Sequence, residues 1–160
     1  MSTRLRILAC GAIDRGDDGA ALLAVRRLPA AVRRAARIEE VGQLSAEHLL
    51  EPAGWRTVVV DCVRGIPAGS ILELPLDELP ALEVGLPLTS THAMSPGGAV
   101  QLATALGAIG PDDRFLGIGG ESFVVGASPS PAVTGRLGEL VERLVALMLA
   151  APLPETVPCA

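Results

Sequence analysis

The chain has 160 residues, 49% of them apolar but only 2% aromatic, which is the length of one ordinary domain with a core of Leu, Val, Ile and Ala. A net charge of −5 with no basic run argues against nucleic acid or an anionic membrane as a partner. Its cationic side chains are all arginine, so mechanisms that need a Schiff-base or P-loop lysine are excluded.

No window approaches the roughly 18 uninterrupted apolar residues of a spanning helix. Met1-Ser2-Thr3-Arg4 leads straight into a strand pattern instead of a signal peptide's apolar stretch. A soluble, cytoplasmic protein is expected. Cys10, Cys62 and Cys159 form no C-x-x-C and leave one cysteine over, so they read as reduced thiols, not as a disulfide framework or a zinc cage.

Residues 4–10 have the aliphatic character of a buried strand, and 19–28 form a helix with Asp17 or Asp18 as its N-cap and Pro29 as its stop. Residues 37–41 make a second strand and 45–50 a short helix capped by Ser45. Residues 57–62, Thr-Val-Val-Val-Asp-Cys, are the clearest buried strand, interrupted by Asp61 at its carboxyl end. Parallel strands need a crossover of roughly a dozen residues. The short 63–69 link therefore predicts that the fourth strand, 70–74, runs antiparallel to the third. Residues 75–90, interrupted by proline and glycine, read as a loop and a lid beside the site, with His92 just after it. Ser95 or Pro96 opens a helix through Leu106, residues 114–119 make a fifth strand, and 131–150 form a long C-terminal helix with Pro131 in its first turn. Residues 152–160 read as a frayed tail. There are no repeats and no linker, so one α/β domain is expected over 1–150, with a tail at 151–160.

The polar residues that end these elements are the candidates for chemistry. Residues 7–19 carry an apolar strand through a glycine turn into two adjacent acids at a helix start, and a parallel α/β sheet concentrates its chemistry at the carboxyl ends of its strands. Asp18 after the first strand, Asp61 at the end of the third and His92 before the fifth fall on one side of the sheet. Two carboxylates and an imidazole make an open site for Ni, Zn, Mn or Fe, with positions left for groups of a substrate. Each has a plainer reading. Asp17 or Asp18 as an N-cap contributes about 1 kcal/mol, and Asp61 can open a turn by accepting from the Arg64-Gly65 backbone. His92 alone is an ordinary surface histidine, and its weight comes from the two acids. His48, on a short amphipathic helix, reads as structural, and Cys10 and Cys62 as small buried thiols beside the site. No G-x-S-x-G or H-E-x-x-H motif is present.

These residues resemble the hydrogenase maturation endopeptidases, nickel-dependent proteases that trim the large subunit of nickel–iron hydrogenases. The resemblance is carried by Cys10-Gly11-Ala12-Ile13-Asp14-Arg15-Gly16-Asp17-Asp18-Gly19, by Val58-Val59-Val60-Asp61, and by Ser90-Thr91-His92. It continues in Gly117-Ile118 and Glu121-Ser122-Phe123, leading to Gly126 and residues 137–147. It implies a single three-layer αβα domain, phosphorylase/hydrolase-like, with a twisted, mostly parallel five-stranded sheet that has one antiparallel strand. It also implies metal contacts and catalysis at Asp18, Asp61 and His92, in an aspartic-type endopeptidase that removes a C-terminal extension from the precursor after nickel insertion. The nickel is then supplied by the precursor and no permanently bound cofactor is expected; a monomer is favoured. Two positions depart from the family pattern: Ala12 stands where Asn is usual, and Gly119-Gly120 replaces Glu-Pro.

A non-catalytic maturation scaffold that binds the precursor without cutting it is the alternative reading. A receiver-like signalling domain shares the acids but needs a lysine that this chain lacks. A dinucleotide-binding domain is disfavoured because the first turn lacks G-x-G-x-x-G and sets two anions where a pyrophosphate would sit.

Overall fold

The computed structural model describes residues 4–50, 55–86 and 94–150. Five strands form one sheet in the order β2-β1-β3-β5-β4: β1 (Arg4–Cys10), β2 (Ala36–Val41), β3 (Trp55–Val63), β4 (Ile71–Pro75) and β5 (Arg114–Gly119). The first three and β5 are mutually parallel where they pair, and β4 joins the β5 edge antiparallel.

Strands at the centre of a parallel sheet are covered on both faces, and the sequence supplies this with continuous aliphatic runs instead of alternation. Ile7, Leu8 and Ala9 are fully buried, as are Val58, Val59 and Val60. Successive side chains still point to opposite faces. Ile7, Ala9, Val58, Val60, Leu116 and Ile118 pack with α1 (Ala20–Arg26) and α7 (Leu137–Leu149). Leu8, Cys10, Val59 and Phe115 face the other way, onto α4 (Leu79–Val84) and α5 (Pro96–Ala105). On α7 the buried residues are Leu137, Leu140, Leu144 and Leu147, a single apolar stripe at helical spacing.

The chain goes from β1 to β2 on one side, then returns past β1 to β3. Strand order therefore reverses at β1, and a crevice opens between the carboxyl ends of β1 and β3, which is where sheets of this kind place their ligands.

Several elements differ from the sequence reading. Pro29 ends α1, but it also opens a further helix, α2 (Ala30–Ala35), with no buried residue to give it a legible stripe. Residues 76–84 are not a lid: a 3-10 turn at Leu76–Glu78 runs into α4, and Leu76 and Leu79 are buried in the second core. Pro75 and Pro80 sit at the starts of these turns, where a missing N–H costs nothing. The expected lid residues 87–90 lie outside the described residues. The long C-terminal helix is broken into α6 (Pro131–Thr134) and α7 at Gly135-Arg136. Strand β4 does run antiparallel to β3, but β5 lies between them. Gly69 N donates to Gly119 O at 2.9 Å and Gly119 N to Ser70 O at 2.8 Å, which fixes β4 to the outer edge. The expected tail and Cys159 lie outside the described residues. No helix among the described residues is long and apolar enough to cross a membrane.

Candidate active site

Strand β1 leads into Gly11, whose φ of +120° is open to glycine and strained for other residues. A Cβ there would collide with the Asp18 carbonyl oxygen. The turn folds back on itself as Ala12 N donates to Asp18 Oδ2 at 2.9 Å, and residues Gly16–Gly19 continue as a 3-10 turn into α1. Ala12 therefore keeps the turn closed through its backbone, without the side-chain bonds an Asn would add. Asp18 is partly exposed and lines the crevice.

Asp17 does not cap the helix, contrary to the sequence expectation, and neither does Asp18: no side-chain bond caps the 3-10 turn or α1. Asp17 is 0% exposed and turns inward. Its Oδ1 accepts from Ser130 N at 2.6 Å, and its Oδ2 from Glu121 N at 2.9 Å, Ser122 N at 3.0 Å and Ser130 Oγ at 2.9 Å. Burial opposes its ionisation, but these bonds prevail and hold the carboxyl below its ordinary range. The same Ser130 caps α6. One carboxylate thus staples the turn after β1 to the loop after β5.

Asp61 follows the three buried valines of β3 and, by alternation from Val59, faces the α4–α5 side. It stands opposite Gly117 of β5. Its Oδ1 accepts from Cys62 N at 2.8 Å. Burial first, then the negative charge of Asp18 and more weakly that of Glu83, push its carboxyl up to about 7, against the Cys62 bond. The Arg64-Gly65 turn bonds expected under the plainer reading are not made.

The two acids open onto a cleft of about 410 Å³ lined also by Arg15, Gln43, Glu83 and Phe123. Gln43, at the loop after β2, donates to Met94 O at 2.9 Å, and Glu83 of α4 accepts from Gly97 N of α5 at 2.8 Å. Arg15, Arg64, Gln43 and Glu83 were not singled out from the sequence as site residues. For Gln43 the usable signal was its place after a parallel strand. His92, with Ser90 and Thr91, lies outside the described residues; Leu86 and Ser95, described on either side of that segment, both line the cleft. Among the described residues no group of three His, Cys, Asp or Glu is arranged to hold a metal ion.

His48 is structural, as expected: its Nδ1 accepts from Ser45 N at 3.0 Å and closes α3 (Ala46–Leu49) onto its cap. Burial, then the nearby carboxylates, push the Cys10 and Cys62 thiols well up, so neither offers a thiolate. The Gly119-Gly120 departure has a local cause. A Cβ at Gly119 would strike Pro67 O, and one at Gly120 would strike Cys62 Sγ and come within 3.0 Å of the Asp17 Cβ.

A mostly parallel five-stranded α/β sheet of this kind is also found in solved maturation proteases. The hydrogenase maturation protease HybD from Thermococcus kodakarensis superposes with a TM-score of 0.66 at 24% identity, covering 91% of this chain and 99% of that one. The maturating endopeptidase HybD from Escherichia coli gives 0.72 at 20% identity, covering 89% and 90%, and the Escherichia coli endopeptidase HycI 0.67 at 21%, also covering 89% and 90%. No protein-family model and no curated protein matches the chain. At these identities the likeness establishes the fold: the chain folds as the nickel–iron hydrogenase maturation proteases do.

Proposed function

We propose that this protein is an endopeptidase that removes the C-terminal extension of a nickel–iron hydrogenase large-subunit precursor after nickel insertion. The observation that carries the reading is the pair of carboxylates at the switch point. Asp18 and Asp61 share one cleft, each spends one oxygen on a backbone N–H, and neither meets a cationic side chain among the described residues. Two acids that repel each other across a cleft, with Asp61 raised to about 7, favour a cation between them.

In this reading Asp18 and Asp61, with His92 as third ligand, grip the nickel that the precursor presents, so metal recognition and substrate recognition are one event. A bound metal polarises a carbonyl or activates water. A carboxylate of the site accepts the attacking water's proton and returns it to the leaving amine. The protein brings no cofactor of its own.

The test is to mix the protein with nickel-loaded and metal-free precursor and follow precursor mass. Shortening at the C-terminus in the nickel-loaded sample alone is expected, and D18N, D61N and H92A should each abolish it while circular dichroism stays unchanged. An intact precursor in both mixtures, still bound to the protein, would instead establish the non-catalytic scaffold.

A further inference from the structure

The floor of the cleft is acidic, with Asp18, Asp61 and Glu83, but two exposed arginines, Arg15 and Arg64, line it as well. Arg15 sits in the turn after β1 and Arg64 in the link after β3, and both meet the loop after β5. Asp17 N donates to Ser122 O at 2.7 Å, and a Cβ at Gly16 would come within 2.5 Å of that same oxygen, so the residue after Arg15 lies hard against Ser122. The next residue, Phe123, carries the Arg64 guanidinium 3.9 Å over its ring. Gly16 N to Ala127 O at 3.0 Å and Gly126 N to Asp14 O at 2.7 Å bind the loops further along.

Neither guanidinium has a hydrogen-bond or ion-pair partner among the described residues. Arg26, Arg37 and Arg136 on the surface, by contrast, each meet a glutamate at 2.6–2.8 Å. Stacking on Phe123 orders Arg64 while leaving its N–H edge available, and a guanidinium edge matches a carboxylate in geometry as well as charge. We propose that Arg15 and Arg64 form a carboxylate-binding subsite that takes an anionic group of the bound peptide, from a side chain or its C-terminus. The acids of the floor repel such a group and the arginines attract it, so the subsite also sets the direction in which a peptide lies in the cleft.

This inference rests on the peptide-cleaving reading, but its test is binding without metal, so the two fail separately. Three acetylated heptapeptides of Ala and Ser are titrated calorimetrically. One carries a central Glu and an amidated end, one a central Gln and a free C-terminus, and one a central Gln and an amidated end. At least one anionic peptide should bind about three- to tenfold more tightly than the neutral one, and which one does so identifies the source of the carboxylate. R15Q and R64Q should each reduce that preference, and R15Q/R64Q should remove it with an unchanged thermal melt. R143Q, on the exposed side of α7, should keep it. Equal affinity for all three peptides, no binding of any, or a preference that survives in R15Q/R64Q would overturn the proposal.

Discussion

Asp17 and Asp18 are adjacent and chemically identical, yet one is spent entirely on the fold and the other left open to the cleft. The difference lies in what each meets. Asp17 accepts four hydrogen bonds from residues more than 100 positions away, while Asp18 accepts one from its own turn. An Asn at 17 has one acceptor oxygen and would aim its amide hydrogens at backbone N–H groups on one side, leaving donors such as the buried Ser130 N–H unsatisfied. D17N should therefore lose about 2–4 kcal/mol in urea denaturation near neutral pH. Because the folded Asp17 carboxyl lies below its unfolded value, its contribution is complete above the ordinary carboxyl range and is lost as pH falls through the folded value. The gap between D17N and the parent should accordingly narrow in acid. A gap under 1 kcal/mol at neutral pH would show that the staple is not what holds the loops.

At the level of elements, short apolar runs made the three central strands legible, because a strand buried on both faces has little freedom in composition. Ser45, Ser95 and Pro131 announced their helix starts by chemistry that acts within a turn. The missed elements, α2 and the turns of 76–84, are short and begin at prolines, which serve equally well as a stop or a start. The role of Asp17 was illegible for another reason: its donors are distant in sequence, and no local pattern encodes them. Arg56 shows the same kind of long-range fixing. Its guanidinium donates to Ala150 O at 2.8 Å and to Leu147 O, placing a cation on the carbonyl end of α7. Its Nε is buried and has no partner among the described residues, which offsets part of the gain. R56M, which keeps the alkyl stem, should cost about 1–2 kcal/mol, with faster hydrogen exchange in the last turn of α7 than in its first. Uniform exchange along α7 would sink that account.

Across the whole molecule the sheet has a built end and a working end. At the amino ends of the strands, Arg6, Thr57 and Asp113 form one bonded network. Arg6 donates to Thr57 Oγ1 and His48 O, while Asp113 accepts from Thr57 N and Gly110 N, both at 2.7 Å. At the carboxyl ends, Asp18 and Asp61 repel one another. The two ends should respond to mutation with opposite signs. Folded Asp61 holds its proton up to about 7, whereas an unfolded carboxyl, with its ordinary value of 3.8, releases it earlier. Between those values the unfolded state sheds the proton and the folded state keeps it, so stability falls as pH rises through this window and then levels off. D61N removes the penalty. Measured with a chelator present, its melting temperature should rise relative to the parent from about pH 4 to about pH 7 and stay higher above that. D113A leaves the buried Thr57 N–H without an acceptor and should lose about 1–3 kcal/mol. A D61N advantage that does not change with pH would mean that the carboxyl is already ionised throughout, leaving no stored repulsion at the switch point for an incoming cation to relieve.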